Sequence, residues 1–113
     1  MIVGRLDKRV VIQAPRETGA LATGEPSIEW TNVAEIWASI EGLRGRELEA
    51  ARAIEARADV RIVIRAWPGL SAAHRLYWLE GAQPHWFEIF DVDDKRYRHR
   101  EMVLTCTEVE GRA

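Results

Sequence analysis

A single cysteine, Cys106, in 113 residues rules out an internal disulfide and any cysteine-based zinc cluster. That fits a reducing compartment. No stretch approaches the ~20 apolar residues needed to cross a bilayer. The opening Met1-Ile2-Val3-Gly4-Arg5-Leu6-Asp7 turns charged before a signal peptide could form. A soluble, unexported chain with no membrane partner is the expectation. Charge of one sign is missing as well: 16 basic and 18 acidic side chains leave a formal charge of -2, so no overall field draws the chain to nucleic acid or an anionic surface. Contact with DNA would need a local basic patch.

The parts of a catalytic centre are equally scarce. None of Ser27, Ser39 and Ser71 lies between glycines at a strand-to-helix turn, which removes the nucleophile-elbow reading. His74, His85 and His99 fall in three expected connections without metal-ligand spacing, so they read as exposed loop histidines. Asp91 and Asp93 open a stretch like a calcium loop, but Arg96 stands where that loop needs glycine and Met102 where it needs glutamate. Cys106 alternates with Met102 and Leu104, which makes it a small core residue rather than a reactive thiol. Gly42-Leu43-Arg44-Gly45 has the form of a nucleic-acid-clamping GxxG loop, yet it follows a strand and reads as a strand-to-helix turn. No enzyme and no cofactor is expected.

What remains is abundant apolar material in short alternating runs. At 47% hydrophobic residues the chain can fill one core, and residues 1–113 are expected to form a single domain. Val10, Ile12 and Ala14 alternate with Arg9, Val11 and Gln13. Ile36, Ala38 and Ile40 alternate with Glu35, Trp37 and Ser39, after a bend near Asn32. Val60, Ile62, Ile64 and Ala66 do so against Arg61, Val63 and Arg65. Leu76–Leu79, Trp86–Val92 and Glu101–Val109 complete the set. Between them, about residues 46–57 (from Arg46) are rich in alanine, glutamate and arginine and predict one helix, with Leu48, Ala51 and Ile54 as a thin apolar stripe on the outside of the core. Trp67-Pro68-Gly69, Gly81-Ala82-Gln83-Pro84 and Asp93-Asp94-Lys95-Arg96 supply turns. The fold class that follows is mainly β, a small barrel or sandwich of about six strands with one α-helix inserted mid-chain.

Two features exceed what a core needs. Arg16 to Ser27 holds two glycines, a proline and little that packs, so it predicts a loop too long for a compact domain, of the kind that orders on a partner. Five tryptophans, Trp30, Trp37, Trp67, Trp78 and Trp86, are more than so short a chain can bury, and one or two are expected at contact surfaces. Lys95, Arg96, Arg98, His99 and Arg100 make the one basic cluster, with Tyr97 inside it and Asp91, Asp93 and Asp94 beside it to blunt its field.

Several stretches, taken in order, resemble the head-tail joining family of tailed bacteriophages, also called head closure, head-tail adaptor or stopper proteins and found in prophages and gene-transfer particles. They are Gly4-Arg5-Leu6-Asp7-Lys8-Arg9-Val10-Val11-Ile12-Gln13, Ile28-Glu29-Trp30, Val33 to Glu41, Gly45-Arg46-Glu47, Arg61 to Arg65 with Pro68-Gly69, Phe87-Glu88-Ile89, and Glu101 to Glu108. The likeness spans nearly the whole chain and rests on the order of many weak matches. Family members pass between the strands at Leu76 and Phe87 through a tight turn, whereas a longer Glu80–His85 connection is expected here. The resemblance implies a virion protein: a β-barrel with a side helix that forms a ring, commonly of twelve copies, beneath the portal or an adaptor. Such a ring seals the filled head, meets a tail protein and touches packaged DNA in passing. It would lie in the host cytoplasm during assembly. The loop at 16–27 would point towards the channel. Contacts are then expected at Arg16, Glu17, Thr18, Thr23, Glu25, Trp30, Trp37, Arg46, Glu47 and Glu49. Arg61, Arg65, Arg98 and Arg100 would face DNA. The alternative is a barrel that binds single-stranded nucleic acid through those four arginines, with Tyr97 or Trp86 as a stacking platform.

Overall fold

The computed structural model describes residues 6–20, 22–24, 26–94 and 100–109. Six strands and one helix follow in the order β1 (Lys8–Ala20), β2 (Pro26–Gly42), α1 (Gly45–Ile54), β3 (Val60–Arg65), β4 (Arg75–Glu80), β5 (Gln83–Asp93) and β6 (Glu101–Val109). All neighbours are antiparallel, and the sheet closes on itself as β1-β2-β3-β6-β5-β4. This is the expected mainly-β class, resolved to a barrel.

The alternating runs explain the closure. One face of each strand is apolar, and curling the sheet turns those faces inward, where Val10, Ile12, Ala38, Ile62, Ile64, Leu76, Phe87, Ile89, Leu104 and Cys106 are buried together. Burying each large side chain of this set contributes ~1.5–3 kcal/mol. Burial also pushes the Cys106 thiol well above its ordinary range, so it stays protonated in the core. The bend anticipated near Asn32 is a bulge: Ile12 faces Ala34 while Gln13 faces Asn32, which leaves Val33 as the extra residue.

Three expectations need correction. Arg16–Ser27 is not a loop for most of its length. β1 runs on to Ala20 and β2 begins at Pro26, so the segment is a two-stranded hairpin, with residues 22–24 in the turn. Cross-strand pairing supplies the order that composition did not predict. The Glu80–His85 connection is in fact a two-residue turn, with Glu80 paired to Gln83 around Gly81 and Ala82. Gly81 takes the positive φ of 58° that such a turn requires. Pro84 lies in β5 beyond Trp86–Val109, the last pair with β6 among the described residues, so its missing N–H costs no described ladder bond on that side. Finally, α1 stops at Ile54, short of residue 57. The Glu55 N–H bonds to the Ala51 carbonyl, the Ala58 N–H to the Glu55 carbonyl, and the Asp59 N–H to the Cys106 carbonyl at 3.1 Å. These bonds turn the chain into β3 and bury Ala58, which a further helical turn would forbid. α1 does lie outside the barrel, but none of its residues is buried, and Ile54 is 86% exposed rather than part of a packed stripe.

Candidate assembly surfaces

β4 pairs with β1 only from Val10 to Gln13, and β3 pairs with β2 only from Ala38 to Gly42. Beyond those limits β1 and β2 have only each other among the described residues, so they leave the barrel as a two-stranded arm. Seven residues, Ala14–Ala20, at ~3.3 Å each carry it ~20 Å outward. The molecule is accordingly elongated, 50 × 33 × 29 Å. A lone two-stranded ribbon is marginal in water, so its base needs support. Arg75 of β4 provides it: Nε donates to Gln13 Oε1 at 2.6 Å, Gln13 Nε2 donates to Asn32 Oδ1 at 2.8 Å, and the guanidinium lies 4.4 Å over the Trp30 ring. Burial at this junction lowers the Arg75 pKa from its ordinary value without threatening its charge. No periodicity signals Arg75; its role comes from the Gln13–Arg75 register.

Alternation along β2 puts Ile28, Trp30, Asn32, Glu35 and Trp37 on the outer face, with the Val33 bulge among them. Ile28, Trp30, Val33 and Trp37 are 58%, 36%, 44% and 48% exposed. These four form an apolar stripe from arm to barrel wall, so two of the five tryptophans do sit on the surface. Trp37 is flanked by Arg9, whose guanidinium lies 4.9 Å over the ring and pairs with Glu35. Arg16 and Glu17 are exposed on β1, where Arg16 faces Glu29 and Glu17 faces Ile28, and Thr23 is exposed in the turn. The backbone of Thr18 lies in β1 at a register shift; Glu25 lies outside the described residues.

The helix residues form a separate surface. Arg46 and Glu49 are exposed on α1, while Glu47 pairs with Arg61 of β3, whose other nitrogen bonds Glu41 at 3.2 Å. Two carboxylates thus neutralise Arg61, which is half-buried and poorly placed to meet phosphate. Arg65 is exposed near Leu6, Asp7 and Trp37. Arg100 is exposed ahead of β6, and its carbonyl accepts the Ala66 N–H. Arg98 and Tyr97 fall outside the described residues, and Trp86 is half-buried against Tyr77, 5.2 Å between ring centroids. The expected arginine set is therefore not assembled as one patch by the described residues.

His85 was expected in a loop but belongs to β5. Its ring stacks 5.0 Å from Trp78, Nδ1 lies 2.7 Å from Glu108 Oε2, and Nε2 lies 3.1 Å from Glu80 Oε1. Both nitrogens face carboxylate oxygens, and the hydrogen bond to Glu108 above all raises the His85 pKa. The tight turn at Gly81 creates this cluster, which is why reading a longer connection missed it. Among the described residues, no three His, Cys, Asp or Glu side chains could hold a metal ion, and no helix is long and apolar enough to cross a membrane.

Among solved structures, the chain is similar to protein SF1141 from Shigella flexneri 2a, known from a solution structure. Identity is 28% and the TM-score 0.76, with 99% of this chain and 100% of that one covered. It also shares its fold with a chain of the virion of the native gene transfer agent particle, at 21% identity and a TM-score of 0.56, covering 95% of this chain and 98% of that one. No curated protein matches. The family profile described as phage head completion protein matches residues 1–109, every strand of the barrel included, and the chain belongs to that family.

Proposed function

We propose that this protein is a head-closure connector: copies of it form a ring below the portal, directly or through an adaptor, that retains the packaged DNA and receives the tail. Twelve copies would match the symmetry expected of such a ring. A structural rather than catalytic role follows from membership of the head completion family, and a chain of the same fold in the gene transfer agent virion supports a place in a particle. The observation that carries the reading is the preformed arm. It spends the outer parts of the 13-residue β1 and the 17-residue β2 on a projection that adds little to the barrel core, and it exposes tryptophan and isoleucine where a monomer gains nothing from them. The exposed Arg46 and Glu49 on α1 offer a second, different surface, as a head-to-tail ring requires. The chain would wait in the host cytoplasm until filled heads present the portal. The single-stranded nucleic acid reading loses ground because Arg61 is already held by Glu41 and Glu47.

The test is nuclease protection. In a producer lacking this chain, heads should fill and then leave their DNA open to nuclease, with no tails attached, and the intact gene should restore both. Protected DNA in tailed particles made without the chain would overturn the proposal.

A further inference from the structure

Ile54, at the end of α1, is the most exposed of the large apolar side chains among the described residues. Together with Ala51 it borders a slot of about 180 Å3 whose far wall is Phe90 and Asp91 of β5. Ile89 pairs with Cys106 and Asp91 with Thr105, so Phe90 is the extra residue of a bulge on the outer wall. Glu55 and Glu88 already hold Arg57, whose guanidinium lies 4.9 Å over the Phe90 ring. Asp91 is exposed and has no ion-pair partner among the described residues. A second patch surrounds Trp37, at the barrel-wall end of the apolar stripe, where the indole borders an open cleft of about 560 Å3 with Leu6, Asp7 and Arg65. Lys8 engages Asp7 and Glu35 engages Arg9, which leaves Arg65 as the exposed cation here without an ion pair among the described residues. β2 and β5 lie three places apart whichever way the closed order β1-β2-β3-β6-β5-β4 is followed, so Trp37 and Asp91 sit on opposite walls of the barrel.

We propose that Ile54 of one copy seats in the Trp37 cleft of a second copy, with Asp91 of the first against Arg65 of the second. This rests on the ring reading above and adds a contact between barrel walls. A second copy is the occupant because one chain carries both halves, and they match in chemistry: an apolar side chain beside an unpaired carboxylate on one wall, an exposed indole beside an unpaired guanidinium on the other. Ile54 on Trp37 forms the apolar centre, and the Asp91–Arg65 pair at its rim fixes the register. Like patches repel, since two Ile54 patches would oppose Asp91 with Asp91 and two clefts Arg65 with Arg65, so the contact is head to tail. The position of the halves fits as well. A ring of many copies needs its two contact faces nearly opposite each other, whereas faces close together would shut the ring after a few. Neither half serves the monomer, because Ile54 packs against no core residue and Arg65 points into solvent.

Charge reversal tests it. Arg65→Asp, Asp91→Arg and the double variant each replace the chain in a producer lacking it, and nuclease-protected particles are counted. Either single reversal should lower the count roughly tenfold or more, because every contact around the ring is affected, and the double variant should recover it to within about threefold. Recovery cannot come from pairing within one chain: Arg65 faces Glu101 and Asp91 faces Thr105, on opposite sides of β6 and about 13 Å apart along it. Circular dichroism shows whether each variant keeps the wild-type Tm. Should a reversal unfold the barrel, Ile54→Asp decides alone, since the core does not use that side chain: a tenfold loss from folded protein supports the contact, and wild-type protection overturns it. Single reversals that protect DNA as well as wild type overturn it, and so does a loss from folded protein that the double variant fails to recover. Both results leave head closure intact, because the producer lacking the chain altogether reads that independently.

Discussion

Shortening the arm separates what the barrel needs from what the particle needs. Arg16 and Glu29 are a cross-strand pair, so replacing Glu17–Ile28 with Asn-Gly joins them through a two-residue turn of the favoured hairpin type. None of the removed residues whose burial is described belongs to the buried core, and Ile28, the largest of these, is already 58% exposed. Lost packing should therefore cost less than ~1 kcal/mol. Cutting the connection from about twelve residues to two returns roughly (3/2)RT ln 6, or ~1.6 kcal/mol, of loop-closure entropy. The two terms leave stability within ~1–2 kcal/mol of wild type. For a domain of this size, that moves Tm by no more than ~10 °C. Thermal unfolding followed by far-ultraviolet circular dichroism reads this directly, and the same variant should fail to restore nuclease protection in particles. A folded barrel with wild-type Tm and full complementation would refute the functional role of the arm. A Tm lowered by ~20 °C or more would refute the independence of the barrel.

The core should respond in the opposite sense: Leu104→Ala, at a fully buried site paired with Ile62 and Val92, should cost ~2–5 kcal/mol in urea denaturation, while Glu49→Ala on exposed α1 should change stability by no more than ~0.5 kcal/mol. Cys106 should resist thiol reagents in the native state and react only on the unfolding timescale. His85 should give a pH-dependent contribution. Its folded pKa is raised, so the stabilisation is fully present below the unfolded value of ~6.5 and is lost as pH rises through the folded value. His85→Gln should flatten that part of the stability profile, and a histidine NMR titration giving a His85 midpoint at or below ~6.5 would contradict the Glu80–Glu108 geometry.

Period-two alternation made most of the barrel legible before any coordinates. Glu101–Val109 matches β6 at both ends, and the inward set Val10, Ile12, Ile62, Ile64 and Leu104 was readable from its spacing alone. The arm was misread as loop because Thr18, Gly19, Ala20 and Gly24 carry no alternation; their order comes from pairing across the hairpin, a non-local effect. The short β4–β5 turn was missed for a related reason. Pro84 argues against strand unless one knows that β6 ends opposite Trp86. Counting tryptophans against core size predicts one or two at the surface without saying which; Trp30 and Trp37 are the exposed ones, whereas Arg75 and the His85 cluster depend on register and could not be read from composition. Ile54 shows the limit of helical periodicity: three residues at the right spacing define a stripe, but nothing in the spacing says whether the barrel wall reaches it.

The most direct test of head closure is cryo-electron microscopy of the head-tail junction of particles containing this chain. A ring of six-stranded barrels between portal and tail, with the β1–β2 arms directed towards the channel, is the predicted density. A junction that lacks the barrel, or barrels placed elsewhere on the particle, would contradict it.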